Sequence, residues 1–147
     1  MKKNTRVINK QSSIPELIRN AGGKLTPQRV EIIKVLQNFG KPVTAKEIYN
    51  KVIITQPSVS LDTVYRNLEL LTASGVVSHM NLQQTGKSYY EFMGDHHHHH
   101  AICTDCGDIA CVDICIPVDK LKVAGNPDFI VTSHAFEIYG HCGKCNE

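Results

Sequence analysis

No histidine and no cysteine occurs in the first 50 residues of this 147-residue chain, although the whole contains 8 and 6 of them. Nor does any run approach the roughly 20 apolar residues of a membrane span. The opening MKKNTRVINKQSS is basic and polar with no apolar stretch behind it, so no secretory signal is legible and a cytoplasmic protein is expected. Net charge is nearly absent: 16 Lys and Arg against 14 Asp and Glu leave +2, too little to argue for a nucleic-acid partner by itself. No nucleophile and base stand together in a recognisable motif, so an enzyme is not expected. The length suffices to bury a core without covalent staples, and in a reducing compartment cysteines are more often metal ligands or thiols than disulfides.

What is present is unevenly distributed. More than half of the lysines and arginines precede residue 50, whereas all the histidine and cysteine follows it. Three helix starts are legible early. Ser13-Ile14-Pro15-Glu16 and Thr44-Ala45-Lys46-Glu47 fit the capping box, and Thr26-Pro27 places a cap residue before proline at the first helical position. Gly22-Gly23, Gly40 with Pro42, and Gln56-Pro57 supply the stops. A fourth helix should begin near Ser60 and end before Gly75, with Leu61, Val64, Leu68 and Leu71 as its apolar stripe. Asp62, Thr63 and Arg66 fall on the opposite face and Tyr65 on the flank. VVSHMNL and SYYEFM then read as two strands joined by QQTGK. This order predicts a winged helix-turn-helix whose fourth helix enters a DNA major groove; a ligand-free helical bundle with an appended hairpin is the plainer alternative.

From residue 93 the pattern predicts a small α/β second domain: strands at HHHHAICT, DIACVDI and DFIVTSHAFEIYG, with a short helix at PVDKLKVAG. The domains expected are 1–92, with 1–13 a flexible tail, and 93–147, an α+β chain overall. Cys103-x-x-Cys106 and Cys142-x-x-Cys145 are the strongest chemical signal. Each tight turn aims two thiolates at one centre, and two such turns supply the closed tetrahedral sulfur set of a structural Zn2+.

The run His96–His100 has five histidines, lies mid-chain and leads into a Cys-x-x-Cys pair, unlike a purification tag. On a strand its side chains alternate, so His98 and His100 face one way and His97 and His99 the other. If the hairpin is centred on Thr85, His79 stands opposite Glu91, and those two with His98 and His100 would make a nitrogen and oxygen site. His134 is the best partner for His97 and His99, with Asp113 or Asp119 as further choices. Cys111 and Cys115, outside the pairs, fit either a small buried hydrophobe or a ligand.

LTPQR at 25–29, S-x-x-T-V-Y-R-N-L at 60–68, YEF at 90–92, HHHHHAICTDCG at 96–107 and YGHCGKC at 139–145 together resemble the ferric uptake regulator (Fur) family of metal-dependent bacterial repressors, over nearly the whole chain from Leu17 to Cys145. The resemblance implies a homodimer joined through its C-terminal domain, binding an AT-rich inverted repeat of double-stranded DNA, with a regulatory divalent metal at the domain junction. Residues matching Tyr65 and Arg66 contact bases and one matching Lys24 approaches the minor groove; Arg29, Ser60 and Thr63 complete the expected DNA-binding set. The regulatory ligands resemble Glu91, His98 and His100 plus a histidine that here is Pro42, and His79 is the expected replacement. That departure weakens a peroxide-sensing role, which relies on the missing histidine. Cys111 occupies the place of an aspartate ligand in the peroxide sensors, and a thiolate there, with His97, His99 and His134 as further ligands, would favour zinc over manganese. Fe2+ or Zn2+ is the expected regulatory ion, with Mn2+ behind them. A metal storage or trafficking protein is the alternative from another class.

Overall fold

The computed structural model describes residues 12–82, 85–93 and 98–146. Most of the expected tail, and His96 and His97, lie outside the described residues. The chain divides into two compact units, Met1–His96 and His97–Glu147.

The first unit contains α1 (Ile14–Asn20), α2 (Pro27–Phe39), α3 (Ala45–Thr55), α4 (Leu61–Ala73), β1 (Val77–Leu82) and β2 (Lys87–Phe92). Their ends follow the local chemistry. The Glu16 carboxylate accepts the Ser13 amide at 2.8 Å, Thr26 accepts the Arg29 amide at 3.3 Å, and Glu47 accepts the Thr44 amide at 2.7 Å. Each contact satisfies a backbone donor that the first helical turn leaves orphaned. Gly40 closes α2 in the left-handed region at φ +60°, and Gly75 takes φ +81° just beyond α4.

The apolar faces of the four helices meet in one core that includes Ile18, Ile32, Ile33, Leu36, Ile48, Val52, Val64, Leu68 and Leu71. Leu61, expected in the buried stripe of α4, is exposed, and Asn67, beside Leu68, is buried. β1 and β2 form the antiparallel wing, and Val43 exchanges two backbone hydrogen bonds with Tyr90, at 2.9 and 2.7 Å, tying the segment before α3 to β2. The first unit is a winged helix-turn-helix.

The wing register differs from the expected one. Ser78, not His79, stands opposite Glu91, and His79 stands opposite Tyr90, against whose ring it stacks at 4.7 Å. The reason lies in the turn: Leu82 pairs with Lys87, and Gly86, at φ +63°, returns its amide to the Leu82 carbonyl at 2.9 Å. The hairpin is therefore centred one half-step before Thr85, and that slip places His79 and Glu91 on opposite faces.

The second unit is built on β3 (His99–Cys103), β4 (Ile109–Val112) and β5 (Glu137–Gly140), in the order β4-β3-β5. β4 runs antiparallel to β3 and β5 parallel to it. Two expected elements are shorter than the sequence suggested. The helix at 117–125 is a single 3-10 turn, Val118–Lys120, because Pro117 and Gly125-Asn126-Pro127 leave too few residues to nucleate an α-helix on an exposed segment. The strand at 128–140 is paired only over Glu137–Gly140, since β3 offers it a partner only there.

Leu68 is 0 % exposed at the centre of the helical core. Leu68→Ala is expected to cost about 3 kcal/mol of unfolding free energy, measured by urea denaturation of the first unit's transition.

Candidate functional site

β3 and β5 end side by side. Cys103 pairs with Gly140 in the parallel register, so the turn that follows each strand delivers its Cys-x-x-Cys pair to the same place. Cys103, Cys106, Cys142 and Cys145 present four sulfur atoms within 4.8 Å of one another, and Cys106 Sγ lies 3.7 Å from Cys142 Sγ. A regular tetrahedron with Zn–S near 2.3 Å has edges of about 3.8 Å, so the spacing fits zinc. None of the six cysteines is in a disulfide.

The electrostatics ask for a cation. The backbone amides of Cys106 and Cys142 point at Cys103 and hold its thiol down to about 6, whereas the neighbouring Cys142 and Cys106 thiols push Cys145 up to about 12. The first thiolate is stabilised by donors, whereas the crowded sulfurs hold the Cys145 proton, and a cation among them would favour its release. Asp105 and His141, one from each turn, meet at 2.6 Å on the surface beside the cluster.

The alternation along the strand sorts His98, His99 and His100 as expected, His97 lying outside the described residues. His100 faces Cys111 across the β3–β4 ladder, which puts both on one side of the sheet. His98 and His100 pack edge to face at 5.0 Å, and their ligand atoms lie within 4.8 Å of the Cys111 sulfur. On the other side, His99 Nε2 approaches His134 Nε2 to 3.0 Å, and Cys115 Sγ lies 3.3 Å from that same His134 nitrogen. The rings of His99, His134 and Phe136 cluster together, His99 against Phe136 at 3.7 Å and against His134 at 4.9 Å, with His134 and Phe136 6.0 Å apart. Both groups combine two imidazoles with one thiol, a set suited to zinc, cobalt or copper more than to manganese. Cys115 carried no positional signal in the sequence: it reaches His134 only because the loop after β4 returns beside the segment that precedes β5. Asp113 and Asp119 join neither group, and His79, on its own side of the wing, joins none of the clusters among the described residues.

α4 carries the candidate nucleic-acid face. Val64, Asn67, Leu68 and Leu71 are buried, while Asp62, Tyr65 and Arg66 face solvent. Arg66 Nε lies 3.0 Å from Asp62 Oδ2 one turn earlier, an exposed pair that holds the guanidinium along the helix without burying it. Ser60 caps α4 by accepting the Thr63 amide at 3.1 Å, and its hydroxyl meets that of Thr63 at 2.9 Å, so both serve the helix start as well as lining its outer end. Lys24 is exposed; Arg29 is partly buried against α4 and is directed into the protein.

The sequence matches the description "FUR: Ferric uptake regulator family" over residues 20–139. The ferric uptake regulation protein of Escherichia coli (strain K12) is 36% identical over 134 residues, spanning 88% of this chain and 90% of that one. The chain belongs to the ferric uptake regulator family. Among solved structures of the family, that of the Vibrio cholerae ferric uptake regulator superposes with a TM-score of 0.74 at 31% identity, covering 88% of this chain and all of that one. A zinc-bound manganese uptake regulator superposes at 0.68 with 25% identity, covering 89% of this chain and 99% of that one. Members of the family are transcriptional regulators, and this member has the mixed helix-and-sheet architecture, with a four-cysteine cluster suited to zinc. No helix among the described residues is long and apolar enough to cross a membrane.

Cys106→Ser and Cys142→Ser are each expected to remove about one zinc per chain and to lower the melting temperature of the second unit, whereas Cys111→Ser should keep that zinc. Metal analysis by mass spectrometry alongside calorimetry checks this; a Cys142→Ser protein that retains both zinc and stability would contradict it.

Proposed function

We propose that this chain is a homodimeric, metal-responsive repressor that binds an AT-rich inverted repeat of double-stranded DNA in the bacterial cytoplasm. The observation that carries the reading is α4: a helix of a winged helix-turn-helix whose buried side fills the core while Tyr65 and Arg66 stay exposed at the position of a recognition helix. Residues 1–92 serve as the DNA-binding domain and 93–147 as the metal-binding and dimerisation domain. Tyr65 and Arg66 read bases, Ser60 and Thr63 meet the backbone, and Lys24 enters the adjacent minor groove, where AT-rich tracts have enhanced negative potential.

The four-cysteine zinc is structural, because a closed ligand set leaves no position for substrate or signal. The regulatory ion takes Glu91, His98 and His100, and Cys111 fills the vacancy left where Pro42 replaces a histidine. His79 is not part of this set, given its position opposite Tyr90. A thiolate among imidazoles and a carboxylate favours Zn2+ over Mn2+; Fe2+ remains the second choice, in keeping with the names of the relatives. An ion taking ligands from both domains favours whichever domain arrangement completes its coordination, and so couples metal concentration to DNA affinity. His99, Cys115 and His134 form a further metal site in the second domain.

Fluorescence anisotropy of an AT-rich inverted-repeat duplex, with protein carrying only its four-cysteine zinc, tests the reading. Titrated separately at fixed salt, zinc or iron(II) is expected to tighten binding at least tenfold. Protein whose duplex affinity no metal changes, or whose binding lacks salt dependence, would sink the proposal. Arg66→Ala is expected to lose about 10- to 100-fold in operator affinity, with metal content unchanged. Cys111→Ser should raise the zinc concentration needed for activation while leaving the iron(II) requirement nearly as it was, read from the same titration.

A further inference from the structure

Arg29 and Asn67 meet between the two parts of the first unit that carry the DNA contacts. Arg29 Nε donates to Asn67 Oδ1 at 2.7 Å, and Arg29 Nη1 donates to the backbone carbonyl of Lys24 at 2.7 Å. Asn67 is only 7% exposed and stands in the core stripe of α4, where its Nδ2 donates to the Thr63 carbonyl at 2.8 Å. The orientation of the amide is settled by chemistry, since a guanidinium has only donors and must face the oxygen. One turn of α4 is thus linked through Asn67 and Arg29 to Lys24, which lies between α1 and α2.

The neighbouring backbone is pressed into this link. A Cβ at Gly23 would come within 2.9 Å of Leu70 Cδ2 and 3.2 Å of Arg29 Nη1, so the chain passes close against α4 and an added methyl would have to displace those two side-chain ends. Thr26 caps α2 through the amide of Arg29 itself, which fixes the base of the side chain that forms the link. The guanidinium is directed to protein partners by two hydrogen bonds, from Nε and from Nη1, to two different acceptors.

We propose that Arg29 is a positioning residue and not a DNA contact: with Asn67 it forms a strut that holds Lys24 at a fixed distance from the recognition helix α4. The inference rests on the DNA-binding reading above. A base-reading helix and a minor-groove lysine act together only if their separation matches that of the two grooves, and a buried side chain to guanidinium to carbonyl chain sets it. The buried Asn67, its amide bonded to protein at both ends, then matters to recognition as much as Arg29 does.

Two measurements on the full-length, zinc-loaded protein test this, using Arg29→Ala, Asn67→Ala, the double variant and Arg29→Lys, each first shown to be folded by circular dichroism. In the absence of DNA, trypsin cleavage after Lys24 reads the strut directly, because the scissile carbonyl is the one Arg29 holds. Both alanine variants are expected to be cut there about tenfold faster, the worth of one hydrogen bond to a charged group, while cleavage after Lys51 in α3 stays at the wild-type rate. Arg29→Lys, keeping the charge and one donor, should fall between them and the wild type. Unchanged cleavage after Lys24, or equal acceleration at Lys51, overturns the strut.

In the duplex assay each alanine variant should lose about tenfold in operator affinity, the double variant no more than either single one, and the salt slope should stay at the wild-type value. A slope reduced by about one in Arg29→Ala, with Asn67→Ala like the wild type, would make Arg29 a phosphate ligand and overturn the proposal. Wild-type protein that binds no duplex overturns the DNA reading and the positioning role with it, and the cleavage rates still judge the strut alone.

Discussion

Four sulfur atoms gather at the ends of two parallel strands in the second unit, a cluster suited to zinc. That unit's buried apolar side chains among the described residues are few, chiefly Ile102 and Ile109, while Phe129 and Ile130 stand exposed. A segment of that size with so small a core has little hydrophobic stabilisation to offset its conformational entropy. The parallel pairing of β3 with β5 is moreover a long-range contact, costly in chain entropy before any residue is buried. A cation that gathered thiolates from both strand ends would offset that cost directly, and it would relieve the proton crowding that separates Cys103 from Cys145.

Once β3 is held between β4 and β5, its alternation turns a run of like residues into two chemically separate faces. His98 and His100 look toward Cys111, and His99 looks toward His134 and Cys115. Each face gathers two imidazoles and one thiol, so neighbouring positions in sequence belong to different ligand clusters. The thiol matters to selectivity: nitrogen and oxygen sets accept most first-row divalent ions, whereas a sulfur ligand penalises the harder ones. The proline at position 42 is buried in the first unit beside the Val43–Tyr90 bridge, where it serves packing and cannot ligate.

The first unit resolves a different constraint, since α4 must be both core and surface. Val64, Leu68 and Leu71 commit one side to the core, and the polar Asn67 within that stripe is tolerated because both ends of its amide are satisfied. A buried amide fully bonded on both sides specifies geometry more sharply than an apolar residue of the same size, which only fills space. The loop carrying Lys24 is held to α4 through it.

The helices, their caps and the two Cys-x-x-Cys turns were legible in the sequence because each depends on residues a few positions apart: Thr44 with Glu47, Ser60 with Thr63, Cys103 with Cys106. The alternation of the histidine run belongs to the same class, being a property of any strand. Which residue faced which across a ladder was not legible. The wing slipped by one position because Gly86 closes its turn earlier than the loop composition implied, and with period 2 a single step moved His79 to the side away from Glu91. Cys115 beside His134, and Arg29 turned inward to Asn67, arise from chain segments far apart in sequence that packing brings together. Local sequence determined the parts and their chemistry; only the tertiary structure decided their partners, because register and loop return are set by long-range packing that no short window of residues contains.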